Sequence, residues 1–114
     1  MRRSIPVLLS DALEASAAIG DVVSSTSLEE YKAHRMLRSS MEREFLIIGE
    51  ALGVIDDESE MARQRISHLG RIIGLRNLLA HAYDVIDADM LWSIATQDIP
   101  VLCTELRDWL ADIG

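Results

Sequence analysis

Residues 72–86 read "IIGLRNLLAHAYDVI". At about 100° of rotation per residue, Ile72, Leu75, Leu78, Leu79, Ala82 and Ile86 gather on one side of a helix. Tyr83, Ala80, Asn77, His81 and Gly74 lie with Arg76 on the other. Arg76, Ala80 and Tyr83 form one ridge of that polar side, and Gly74, Asn77 and His81 form the next. Gly74 and Ala80 leave room between the large polar groups. Ile73 is the one apolar residue of this arc, which implies that the arc is partly covered. The spacing predicts a helix from about Gly70 to Tyr83.

The chain on either side of it is also helical in pattern. Leu37, Met41, Phe45, Ile48, Leu52 and Ile55 recur at intervals of three and four, the helical period. Ser27 and Glu30 form a capping-box pair. Together they predict one helix from Leu28 to about Ile55, about 40 Å long. Gly49 interrupts its apolar run "FLIIGEALGVI" at a cost in helix stability, which a close helix crossing would offset. Glu50 in the same run either pairs with a basic residue across the bundle or shapes a cleft. "DDESE" (56–60) reads as a solvated loop, and "MARQRI" (61–66) as a turn or short helix.

A first helix is expected from Ser4 to Val23, with Pro6 in its first turn. A fourth opens at Asp87 or Asp89, both suitable caps, and Pro100 should kink it. Trp92 and Trp109 read as core or interface anchors, and the methionines as core filler. The fold expected is all-α: an antiparallel four-helix up-down bundle forming a single domain over residues 1–114.

Composition agrees with this. Aromatics make up 4% of the 114 residues, and two prolines and six glycines are too few for a turn-rich β domain. The single cysteine, Cys103, excludes an intramolecular disulfide and a thiolate zinc site, and it reads as a small core residue. No apolar run is long enough to span a membrane. The expected location is cytoplasmic.

Net charge is −8, which argues against broad nonspecific nucleic-acid binding. However, residues 63–83 hold no acid, while Arg63, Arg65, Arg71, Arg76, His68 and His81 all fall there. Such an island suits either local anion binding or salt bridges to carboxylates elsewhere.

The polar arc holds the parts for metal-free cleavage of RNA. Histidine titrates near neutrality and can act as base or acid. Arginine can stabilise the charge of a phosphorane. Asn77 can hold a phosphate oxygen or fix a tautomer. One His81 cannot make both proton transfers at once, so a twofold dimer that brings a second His81 to the same cleft is chemically attractive. His34, His68 and His81 do not form a ligand-spaced set with carboxylates.

"RNLLAHAY" (76–83) fits the pattern arginine, four residues, histidine, one residue, tyrosine. It resembles the signature of the HEPN superfamily, and specifically of the HepT-like toxins. "SLEEYKAHRMLRSSMEREFLIIGEAL" (27–52) and residues 72–102 are similar to the family's second helix and to its third and fourth. Many relatives carry a Pro-Trp pair before the "IIG" run, where this chain has "HLGR" (68–71).

The resemblance implies a dimeric bundle with the motif lining a cleft between protomers. It implies a metal-independent endoribonuclease of a type VII-like toxin–antitoxin pair, with Arg76 and His81 catalytic, Asn77 supporting them and no cofactor. It further implies that an MntA-like nucleotidyltransferase antitoxin attaches AMP to Tyr83. Two other readings stay open: a non-catalytic nucleotide- or substrate-binding partner of a nucleotidyltransferase, and a structural bundle with Arg76 and His81 tied up in salt bridges within one chain.

Overall fold

The first helix, α1, spans Ile5–Ser25 in the computed structural model, which describes residues 3–81 and 86–114. Pro6 sits in its first turn, where a missing N–H costs nothing. Leu8, Leu9, Ala12, Ala15, Ser16 and Ile19 form its buried face. Ser16 is accommodated there because its hydroxyl donates to the Ala12 carbonyl at 2.7 Å.

The long second helix is in fact two. Leu28–Ala33 forms α2 and Arg35–Glu58 forms α3, with His34 extended between them (φ −109°, ψ 105°). Neither glycine nor proline marks this break. Tertiary contact causes it: Tyr31 is fully buried, its ring 5.3 Å from Trp92, and Lys32 pairs with Asp89 at 3.2 Å. Arg38 closes the joint by donating to the Lys32 carbonyl. Half of the capping box forms, with the Glu30 amide donating to Ser27 Oγ at 3.2 Å. The Glu30 carboxylate meets the Ser27 hydroxyl rather than an amide.

Beyond the break, Met41, Phe45, Ile48, Leu52 and Ile55 are buried as their period required. α3 continues through Asp56, Asp57 and Glu58, so the first half of "DDESE" is helix and not loop. Asp56 is half-buried there and accepts from Arg63 at 3.0 Å. The short α4, Ala62–Arg65, follows.

α5 spans Leu69–His81, one residue earlier than expected at its start; its expected end at Tyr83 lies outside the described residues. Leu69 is buried, and Glu105 accepts from the Ser67 amide at 3.1 Å. These two contacts fix the start of α5 without the Pro-Trp pair. α6, Ala88–Gln97, is capped by Asp87, whose side chain accepts from the Asp89 amide at 2.9 Å. Pro100 produces a division rather than a kink: α6 ends at Gln97, Asp98 caps both helices, and α7, Ile99–Ile113, starts afresh with the proline in its first turn.

The protein is thus all-α, with no strand among the described residues. α1 packs on both α3 and α7, α5 packs on α3, and α6 joins α1, α2 and α7. Trp109 is buried, with the Arg65 guanidinium 5.9 Å above its ring. Cys103 is half-buried, and burial pushes its thiol above the ordinary range. Met41 fills the core, but Met36 and Met61 are exposed, contrary to the reading of the methionines as filler. Among the described residues no helix is long and apolar enough to cross a membrane.

Candidate active site

The polar arc of α5 meets α3 at one glycine. A Cβ added to Gly49 would collide with Arg76 Cβ and stand 2.7 Å from Arg76 Cγ. Only a residue without a side chain lets the helices approach this closely, which is the crossing that Gly49 implied. The stem of Arg76 therefore lies directly on the α3 backbone. One turn further along α3, Arg76 Nη2 lies 3.9 Å from the point a Gly53 Cβ would occupy. Nη1 donates to Glu50 Oε1 at 3.3 Å. Nε is buried with no hydrogen-bond partner among the described residues.

Arg76 forms one wall of a shallow cleft of about 290 Å3. The other walls are Glu50, Gly53, Val54, Asp56, Asp57 and Ile73. Ile73 is half-buried here, which is the partial cover its place on the arc implied. Glu50 and Val54 also border a larger groove of about 450 Å3 between α1 and α3, lined by Leu8, Leu46, Ile47 and Ala51. The Glu50 carboxylate stands on the ridge between the two.

Asn77 and His81 are exposed on the neighbouring ridge and do not line this cleft. Neither makes a side-chain hydrogen bond or ion pair with another described residue. Within a single chain Arg76 and His81 thus lie on neighbouring ridges, and only Arg76 lines the cleft. Tyr83, the residue expected to accept AMP, lies outside the described residues.

Each arginine of the acid-free island has a carboxylate partner in the same chain. Arg63 meets Asp56, Arg65 meets Asp112, Arg71 meets Asp98 and Arg76 meets Glu50. The island is therefore a set of crosslinks between elements and not an open basic patch. For Arg76 this is what a purely structural bundle would show; for His81 it is not. Among the described residues no three histidine, cysteine or carboxylate side chains converge to hold a metal ion.

The arrangement can hold a guanidinium in a fixed place and present an imidazole to solvent nearby. The first suits anion stabilisation, the second proton transfer. Sequence reasoning missed Gly53, although it follows Gly49 by four residues, one helical turn. Asp56 as a wall of the cleft is missed too, because residues 56–60 read from the sequence as a loop.

The family model described as "Ribonuclease HepT-like" matches residues 12–108. The chain is 29% identical over 108 residues to a Methanocaldococcus jannaschii protein named "Putative RNase MJ1380", covering 93% of this chain and 96% of that one. It is 26% identical over 114 residues to "Putative RNase MJ1216" of the same organism, covering 98% and 92%. A third relative there, "Gamma-glutamylcyclotransferase and putative RNase MJ0434", is 24% identical over 108 residues, which are 93% of this chain and 47% of that one. No solved structure matches significantly.

Proposed function

The chain belongs to the HepT-like ribonuclease family, and from that premise we propose that it is a metal-independent endoribonuclease toxin acting in the cytoplasm. The observation that carries this reading is Arg76 laid into the α3–α5 crossing, with the exposed His81 five residues along the same helix. In the proposed reaction a base takes the 2′-hydroxyl proton of RNA and the 2′-oxygen attacks phosphorus. Arg76 stabilises the phosphorane, the bond from phosphorus to the 5′-oxygen breaks, and an acid protonates that oxygen. The products are a 2′,3′-cyclic phosphate and a free 5′-hydroxyl.

His81 serves as base or acid, and Asn77 holds a phosphate oxygen. The second proton transfer falls to His81 of another copy. The active unit is therefore a homodimer of antiparallel four-helix up-down bundles, with RNA in the cleft between them. This division of labour agrees with the cleft of one chain being lined by Arg76 and not by His81.

Regulation in this reading is of the type VII kind. An MntA-like nucleotidyltransferase antitoxin attaches AMP to Tyr83. The added bulk and negative charge, next to Arg76 and His81 in the sequence pattern, would block RNA and compete for the arginine.

The carboxylate partners of all four island arginines weigh against a free catalytic cation, and so favour a second, non-catalytic reading. In it the chain is a non-catalytic nucleotide- or substrate-binding subunit of a nucleotidyltransferase. Cleavage of RNA by the purified chain in EDTA separates the two. The ribonuclease reading expects activity there, lost by about 10²- to 10⁴-fold in His81→Ala. Cleavage that survives His81→Ala, or an inactive wild-type chain, rejects it. Mass spectrometry after co-expression with the nucleotidyltransferase tests Tyr83, with AMP-sized additions expected on that residue.

A further inference from the structure

Glu50 forms an ion pair with Arg76 at 3.3 Å, and its position is poorly suited to a purely structural role. Its side chain is 63% exposed, against 29% for Arg76. An ion pair with so exposed a partner adds little to stability. It also carries a cost for anion binding, because a carboxylate beside the guanidinium repels a phosphate. Asp56 and Asp57 line the same cleft, Asp56 in an ion pair with Arg63. A surface selected only for RNA affinity would not place three acids around its arginine.

The geometry gives Glu50 a different task. Gly49 fixes the first atoms of the Arg76 side chain, since Cβ and Cγ lie against the α3 backbone. Gly53 leaves space for Nη2 one turn further on. Neither glycine can set the rotation of the guanidinium plane, because neither offers a side-chain acceptor. Nε is buried without a partner among the described residues. Among the described residues, the hydrogen bond from Nη1 to Glu50 Oε1 at 3.3 Å is what can choose the orientation. A planar, multi-donor group works only when aimed.

We propose that Glu50 is a positioning residue for Arg76: with the Gly49–Gly53 groove it orients the guanidinium toward the scissile phosphate, at the expense of affinity for RNA. The proposal rests on the ribonuclease reading for its functional consequence. It rests on the α3–α5 geometry alone for the statement that Glu50 orders Arg76.

The two effects of Glu50 move opposite kinetic constants, which a general loss of structure would not do. In Glu50→Ala the acceptor and the charge are both gone. The kcat for RNA should fall about tenfold through misorientation, and KM should fall about threefold through relief of repulsion. In Glu50→Gln a neutral acceptor remains, so most of kcat should return while KM stays low. Side-chain 15N relaxation of Arg76 Nε provides a readout independent of activity: order should drop in Glu50→Ala and recover in Glu50→Gln. An unchanged kcat in Glu50→Ala, or a lower kcat accompanied by a higher KM, overturns the proposal. If the wild-type chain does not cleave RNA, the ribonuclease reading fails and the relaxation data decide alone. Unchanged Arg76 order in Glu50→Ala then overturns the positioning role.

Discussion

Arg71 and Arg76 lie five residues apart on α5, and each is paired with an acid from another element. The burial of the two pairs is reversed. At Arg71 the acid is the buried partner: Asp98 is 8% exposed and the arginine 59%. At Arg76 the arginine is the more buried, at 29%, and Glu50 is open to solvent. In the first pair the arginine serves the acid. It neutralises a carboxylate held where α6 ends and α7 begins, at 2.8 Å. In the second the acid serves the arginine, whose stem is fixed by the helix crossing. Two identical residues in one basic island thus do different work, and burial of the partner distinguishes them.

The largest effect on stability is expected at the crossing. Gly49→Ala forces α3 and α5 apart, because the new methyl group and Arg76 Cβ compete for one space. Overpacking of this kind costs up to about 3 kcal/mol, less about 1 kcal/mol recovered from helix propensity. Urea denaturation should show the loss, and a stable Gly49→Ala would mean that the helices do not meet there.

Arg71→Ala comes next. It leaves Asp98 buried without its cation, at a cost of about 1 kcal/mol once the exposure of Arg71 and the favourable N-terminus of α7 are allowed for. Glu50→Ala, by contrast, should change stability by less than about 0.5 kcal/mol. Equal losses in the two variants would break the distinction drawn from burial.

Tyr31 sharpens the comparison as a buried polar group with no partner. Its hydroxyl is unpaired among the described residues. Burial first, then the charge of Glu42, pushes its pKa up to about 12, with Arg38 opposing. The folded state therefore holds this proton more tightly than the unfolded state, whose phenol titrates near 10. Stability contributed by the neutral phenol is complete below pH 10 and is lost as pH rises from 10 to 12. Tyr31→Phe should be free of this component of alkaline unfolding and should be stabilised at neutral pH by about 1 kcal/mol. Identical alkaline curves for the two proteins would show that the hydroxyl is solvated.

Much of this was legible beforehand because periodicity reports burial directly. The stripe of α3 is its buried face, as are Ile72, Leu75 and Leu79 of α5, and Gly49 announced the crossing through its cost to an otherwise apolar helix. The break at His34 was not legible, because it follows from Tyr31 and Lys32 meeting Trp92 and Asp89 some 60 residues away. A pattern within one helix carries no record of such a contact. For the same reason the acid-free island could not reveal that its four arginines are crosslinks: their partners, Asp56, Asp112, Asp98 and Glu50, are spread along the chain. The motif itself was readable, but the aim of Arg76 depends on Gly53 and Glu50, which lie outside it.

The most direct test of the account compares RNA cleavage by the wild-type chain, Arg71→Ala, Arg76→Ala and His81→Ala in EDTA, at a temperature where all four are folded. The account predicts that Arg71→Ala stays within about threefold of wild type, while Arg76→Ala and His81→Ala each fall by at least about 10²-fold. Equal losses at Arg71 and Arg76, or full activity without His81, would contradict it.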